Sequence, residues 1–525
     1  MNDFIARYQD QLNGVLTGFD RLVFRGTLPL NHTTGMKGYL WAQDVKLKDF
    51  GDHAQQISQR VKKASLGVIE KAGRPIQYLN SANDDKQKMA QAIAQADRIT
   101  SGPICAFYAV ELCSSYRIAG DAAEKKIRLE RAYRKCIHVY QYWMHPVLGF
   151  MSARLQTWFP FTLYVYANGR ACLAQQMERA GLRYRRHDNC FTWIEDFPLA
   201  QQLMDEQLKF NWGEIFQNIT PQVHPVFGEI CQRYPMKYYW SCTQSEWASD
   251  IVFRNPEQLR QLYPQLVQLA MTSFSSPDIL RFMGKRVKRD GAPCGVHEVP
   301  ISSDLKVRHN GVRVKHRYGP NSLKIYDKAY DELGAVLRPE FTLVEPKFLH
   351  TFRPKSNDPT GELKHLPLRR GVADMQRRAD ASQKILDRYC NALAAVDDST
   401  TLEQLTATIE RRVRFHGKSC RPLHPFEPQD HALLEAINRG EFAIHGLRNR
   451  DLQALLYASP TQNEREQRRR SAAVSRKLRL LRAHGLLKKL PHTHRYQVNE
   501  SARILLNAIL IAHKTTVQRL LAVAA

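Results

Sequence analysis

Between residues 296 and 345 the chain alternates apolar and polar residues with a period of two, broken only by tight turns. Few folds accept that pattern. VRHNGVRV carries Asn310-Gly311 between alternating residues, the strongest short hairpin signal a sequence offers. Tyr318-Gly319-Pro320-Asn321 then turns into SLKIYDK, and Gly334 opens AVLRPEFTLVE. Successive period-two runs joined this closely predict an antiparallel meander.

Strand signals recur upstream. Leu22–Leu28 reads as a short strand and Ile104–Leu112 as a buried one. IHVYQYW (137–143), 148–158 and FTLYVY (161–166) are aromatic and β-branched, with Pro146 and Pro160 between them. Helices are expected at 52–72, 86–98, 171–181, 200–209, 244–253, 256–271, 372–395 and 401–413, with a ribbon at 184–193. Residues 353–371 read as a linker or extended arm. SCRPLHPFEP, ending at Pro428, is the clearest domain boundary. The expected fold class is α+β: a central antiparallel sheet with helices, plus a C-terminal winged helix-turn-helix domain. Its segments are 1–130, 131–352 (the central domain with the basic meander), 353–425 (linker and helical connector) and 426–525.

Charge narrows the function. The 525 residues hold 77 Lys and Arg against 51 Asp and Glu, a formal net charge of +26. Residues 465–496 carry eleven basic residues and one acid, and residues 281–328 carry twelve and four. Most of the surplus therefore sits in two short stretches, which predicts two contacts with a polyanion. No signal peptide, membrane span or lipidation motif is visible, so a soluble, cytoplasmic protein without a membrane partner is expected. Ten scattered cysteines without a CxxC pair argue for reduced thiols and against structural zinc. No GxxxxGK[ST] loop occurs, which disfavours NTP hydrolysis.

After Pro428 the predicted order is helix, short extended piece (441–445), helix, long basic helix (465–484), two strands and a final helix from Glu500. The long helix shows Ala472, Val474, Leu478 and Leu481 as an apolar stripe. VSRKLRLLRAHGLLKKLPHTHRYQVN resembles the recognition helix and wing of MarR-type winged domains, over about 90 residues. That resemblance implies nucleic-acid contacts by Arg468, Arg469, Arg470, Ser475, Arg476 and Arg479, with Lys488, Lys489, His492 and His494 on the wing. His492 and His494 read as exposed turn residues rather than a metal pair.

In the meander, strand alternation puts Lys324, Tyr326 and Lys328 on one face of SLKIYDK, and Arg338 with Glu340 on one face of AVLRPEFTLVE. Pairing of the two strands would bring a Tyr, a Lys and a Glu together on an exposed sheet face. Such a set suits phosphoryl transfer, with Tyr326 as nucleophile, Lys324 lowering its pKa or holding phosphate, and Glu340 as ligand to Mg2+ or Mn2+. Arg313, Lys315 and Arg317 add a basic nucleic-acid contact. Glu246 and Asp250, four apart on an expected helix, would join Glu340 as metal ligands; salt bridges to the 281–328 run are their alternative use. Asp20, Arg21 and Arg25 form a similar N-terminal set, and the 140–166 aromatics could stack bases or fill the core.

The Lys-x-Tyr-Asp-Lys strand followed by Leu-Arg-x-Glu resembles rolling-circle replication initiators over about 25 residues. Pro339 replaces the usual aliphatic residue, and no His-hydrophobe-His motif adjoins it. The whole chain also resembles an uncharacterised bacterial family of mobile-element flavour, sharing FDRLVFRG, NSLKIYDK…LRPE and RNRDLQALL…HGL…THRY. Together these imply a nucleic-acid-binding protein of mobile-element or replication type, with metal-dependent DNA nicking in replication initiation or transposition. DNA is the favoured partner over structured RNA. A non-enzymatic winged-helix regulator or a ribonucleoprotein component is the alternative.

Overall fold

The computed structural model describes all residues except 82, 122–125, 286–299, 309–310, 356, 359, 395–400, 440–441, 443–445, 458, 460–462, 491–492 and 515–525. Up to residue 343 the strands are β1 (Leu12–Thr27), β2 (Ile76–Tyr78), β3 (Gly102–Asp121), β4 (Lys126–His145), β5 (Gly149–Gln156), β6 (Leu163–Asn168), β7 (Tyr184–His187), β8 (Cys190–Ile194), β9 (Tyr239–Phe253), β10 (Ile301–Arg308), β11 (Gly311–Tyr318), β12 (Asn321–Asp331) and β13 (Gly334–Leu343). All but the β7–β8 hairpin join one eleven-stranded sheet, ordered β10-β11-β12-β13-β9-β1-β6-β5-β4-β3-β2. Neighbours are antiparallel except β2 and β3, so the sheet is mixed rather than purely antiparallel.

The meander over β10–β13 has the expected register, with Arg308 opposite Gly311 and Tyr318 opposite Asn321. Asn310 itself lies outside the described residues. Four expectations need correction. Residues 244–253 are strand, not helix: they form the end of β9, a central strand buried on both faces. Burial on both sides erases the polar-apolar alternation that would have marked it as β. The short strand at 22–28 is the second half of a sixteen-residue β1. A boundary at 130 falls inside β4, so the first two segments share one sheet. The stretch 353–371 contains β15 (Lys364–Pro367), paired with β14 (His350–Arg353).

Helices cover both faces. On one, Pro256–Thr272 and Met375–Leu393 bury Leu259, Leu266, Ile385 and Leu386 against Leu323, Ile325, Leu337 and Phe341. Polar anchors fix the two helices there. Tyr263 Oη donates to the carbonyls of Val312 and Ile325, and the Arg378 guanidinium donates to the Cys242 carbonyl and Ser245 Oγ. On the other face Gly169–Arg179, Phe197–Glu206 and β7–β8 enclose a smaller core around Leu16, Val252 and Val336. Gly14 and Gly18 let the second helix lie close: a Cβ there would meet Phe197 and Met204 at 2.3 Å. Among the described residues, no helix is long and apolar enough to cross a membrane.

Beyond β16 (Val413–Phe415) and β17 (Lys418–Cys420), the C-terminal region has its own core, including Leu433, Leu452, Val474, Leu478, Leu481 and Leu506. Its helices are Pro428–Ile437, Asn449–Leu456, Glu464–Ala483 and Glu500–Lys514, with β18 (Leu487–Lys489) and β19 (Tyr496–Val498) paired before the last. Leu447 bridges to Tyr496 and adds a third extended segment. Most of the expected piece at 441–445 lies outside the described residues. Val474, Leu478 and Leu481 are buried as expected, whereas Ala472 is exposed; it falls on the arginine-bearing side of the helix.

Candidate metal centre

The polar groups of the sheet converge where β1, β9, β13 and β12 run side by side. Lys315, Lys324 and Glu340 stand directly across from one another on β11, β12 and β13, and Ala248 and Gly18 continue the row on β9 and β1. Arg313, Tyr326 and Arg338 form a second row two residues along each strand. A bulge in β1 completes the set. Phe19 pairs with Trp247 and Leu22 with Ser245, so Asp20 and Arg21 together oppose the single Glu246. The extra residue re-aims the strand locally and delivers the Asp20 carboxylate to the cluster. One carboxylate oxygen each from Asp20, Glu246 and Glu340 then lies within 4.8 Å of the others. The three residues are 1%, 8% and 4% exposed.

The expected meeting of Lys324, Tyr326 and Glu340 therefore occurs, and Glu246 joins them. The sheet face is buried rather than exposed, because the β7–β8 turn closes over it: Asn189 donates through Nδ2 to Asp20, and its carbonyl accepts from Arg338 Nη2 at 2.7 Å. Asp250 is not among the three converging carboxylates. Arg338 donates to both its oxygens, the Arg170 Nε lies 3.3 Å from Oδ2, and all three side chains are fully buried. Arg338 also donates to Asp20 Oδ2 at 3.0 Å. Burial opposes the charge on Arg338, but Asp250 and Asp20 outweigh it and hold the guanidinium ionised.

The other half of the cluster is charged differently. Lys324 Nζ donates to Glu340 Oε1 and sits 3.7 Å from Glu246 Oε1. Burial would raise the Glu340 carboxyl, yet Lys324, Arg338 and Arg21 together pull it below its ordinary value. Glu246 is pushed up to about 7, first by burial and then by the neighbouring Glu340. Tyr326 is also pushed up, by burial and then by Glu340, despite the opposing Lys324. A lowered phenol pKa is thus the wrong expectation, because the nearby carboxylates and burial outweigh the single ammonium.

The donor set suits a hard divalent cation. Oε2 of Glu246 and Oε2 of Glu340 accept no hydrogen bond among the described residues, and Glu246 resists ionising beside a second carboxylate. A cation held by Asp20, Glu246 and Glu340 would relieve that repulsion. Asp20 is the ligand that the sequence placed only in a secondary set; its signal was an acid beside two arginines in a strand, with nothing to announce the bulge. Arg170 and Asn189 escaped notice altogether, since a helix start and a two-residue turn leave no chemical mark.

Beside the centre, Arg21 leads into a cleft of about 260 Å3 walled by Tyr140, Tyr142, Phe150 and Tyr166. Arg25 lies further along β1, its guanidinium 5.9 Å from the Tyr164 ring. On β11, Arg317 pairs with Asp304 at 3.0 Å, while Arg313 and Lys315 have no acidic partner among the described residues. In the C-terminal region Arg468 pairs with Glu464, and Arg469 and Arg470 pair with Glu466. Arg470 is further tied to the Ser459 carbonyl and the Tyr457 ring, which turns it from the surface. Ser475, Arg476, Lys488, Lys489 and His494 are exposed, Arg479 is half-buried beside Phe415, and His492 lies outside the described residues. The chain matches no family model, no curated protein and no solved structure.

Proposed function

We propose that this chain is a nucleic-acid-processing protein of mobile-element or replication type that cleaves phosphodiesters with a divalent metal, Mg2+ or Mn2+, held by Asp20, Glu246 and Glu340. One observation carries this: three carboxylates from three adjacent strands converge, and basic residues flank them on the same sheet. The ion, when bound, supplies Lewis acidity toward the scissile phosphate. Held ionised as a ligand, Glu246 can accept a hydrogen bond from the attacking water through its second oxygen and orient it, while the water's proton passes to solvent. Lys324 stays an ammonium between its two carboxylates and can face the charge that builds on the phosphoryl oxygens. As the new bond to phosphorus forms, the bond to one ester oxygen breaks and that oxygen leaves protonated. Water is the favoured nucleophile, because the raised phenol of Tyr326 makes it a poor one.

The C-terminal order of helices, with the hairpin β18–β19 and the bridge at Leu447, supports a winged helix-turn-helix that docks DNA. Its helix Glu464–Ala483 would enter the major groove. Arg476, with Lys488 and Lys489 on the wing, are the best-placed contacts.

Negatively supercoiled plasmid, whose torsion opens single-stranded stretches, should convert to open circles when incubated with the full chain and Mn2+, and EDTA or Glu340→Ala should abolish the conversion. Unchanged nicking by Glu340→Ala would remove the assignment. Tyr326→Phe should retain activity; its loss, together with a covalent protein–DNA adduct in the wild type, would restore tyrosine as nucleophile. A second reading has its own support, since Lys324 already neutralises Glu340. On it the cluster is a structural ion network, and the chain is a regulator or a structured-RNA-binding component. Co-purified nucleic acid digested by RNase alone, with no nicking, would favour that reading.

A further inference from the structure

We infer that the substrate of this centre is a single strand of nucleic acid, one base of which stacks in the cleft beside Arg21. The inference rests on the catalytic reading above and names its substrate class. Two clefts meet at Phe150. The first, about 260 Å3, is walled by aromatic rings and lined at one edge by Arg21, Asn168 and Asn189, the last two of which donate to Asp20. The second, about 560 Å3, continues past Phe150 and Met144 and is bordered by Arg98, Arg179 and Arg186. Phe150 and Tyr166 are half-buried rather than sealed in the core, whereas Tyr142, beside Phe150, is buried against the helix Lys86–Ala96. That helix, with the β7–β8 turn, flanks the aromatic floor.

The burial of the centre excludes a straight duplex as its direct substrate. Carboxylates only 1–8% exposed cannot touch the backbone of a rigid double helix lying across the surface. A strand whose nucleotides bend individually can enter the cleft and reach Arg21 and Asn189, which border the centre. Aromatic faces bind any base by its π surface, and arginines along the same path hold the phosphates. Arg21 links the two functions: it stands on the bulge with Asp20, feels the charges of Glu246, Asp20 and Glu340, and lines the aromatic cleft. A phosphate 5′ or 3′ to the stacked base would then sit between Arg21 and the carboxylates.

The test is binding without chemistry. A fluorescein-labelled 20-nucleotide oligothymidylate and a 20-base-pair duplex are titrated with the full chain in EDTA and read by anisotropy. Phe150→Leu should weaken oligothymidylate binding roughly tenfold, the size expected for one lost stack, and leave duplex binding unchanged. Phe150→Tyr should restore it, and Arg98→Ala should weaken it severalfold. A 2-aminopurine placed within the oligonucleotide should be quenched by the wild type and not by Phe150→Leu. Thermal unfolding of each variant guards against a folding defect. Equal oligothymidylate affinity in wild type and Phe150→Leu, with no quenching in either, would overturn the inference. Because EDTA removes catalysis, single-strand binding that depends on Phe150 can stand even where Glu340→Ala leaves nicking untouched. In that event the catalytic reading falls and the cleft remains a binding site.

Discussion

The two halves of the buried charge cluster use the same residue types to opposite ends. Around Asp250, every negative charge is met by a guanidinium: Arg338 engages both carboxylate oxygens and Arg170 lies 3.3 Å away. Around Glu246, one ammonium lies within ion-pair distance of two carboxylates, Arg21 adds charge only at longer range, and Glu246 is raised to about 7. Glu246 and Asp250 are four residues apart on one strand and differ in what their neighbours offer, not in burial. A fully paired cluster holds strands together. An under-compensated one has room for another cation, and in a buried site that is a mark of function more than of stability.

The largest expected effect breaks the paired half. Arg338→Leu leaves Asp20 and Asp250 without their shared partner and should cost about 3–5 kcal/mol in urea unfolding. A loss below about 1 kcal/mol would mean that the pairing contributes little. Glu246→Gln should do the reverse at neutral pH. Because the folded-state pKa of Glu246 is raised, its protonated form is the one folding favours. Stability is therefore full below the unfolded value near 4.5 and declines as pH rises toward about 7. Glu246→Gln should thus become progressively more stable than wild type between pH 4.5 and 7, measured without metal. Equal stability at both ends of that window would show that the two halves do not differ.

Metal affinity should carry the same signature. A ligand carboxylate must lose its proton, so Mn2+ binding should strengthen as pH rises from about 6 to 8 and level off above it. A pH-independent affinity would place the ion elsewhere. The smallest effects belong to the exposed C-terminal surface, where charges act singly. Arg476→Ala and Lys488→Ala should each weaken duplex binding about uniformly across sequences and lower the salt slope by about one. Neither should change stability by more than about 0.5 kcal/mol.

Strand alternation made the meander legible, and with it the convergence of Lys324, Tyr326 and Glu340, because those contacts follow from register alone. The same logic misread β9. Glu246 and Asp250 share a face in a helix or a strand alike, so the grouping survived while the element did not. Asp250 could not be separated from Glu246 in sequence, since its partners Arg170 and Arg338 come from a helix start and a neighbouring strand. Asp20 depended on a bulge, which has no sequence signature here. In the C-terminal helix the burial of Val474, Leu478 and Leu481 was readable from spacing. The inward turn of Arg470 was not, because it follows from contacts with Glu466, Ser459 and Tyr457.

The most direct measurement is a Mn2+ titration of the full chain, followed by electron paramagnetic resonance and calorimetry, in wild type and in Glu340→Gln and Asp20→Asn. One saturable Mn2+ per chain is expected in the wild type, weakened at least tenfold in each variant. Absence of saturable binding, or an affinity that both substitutions leave unchanged, would contradict a metal centre at Asp20, Glu246 and Glu340.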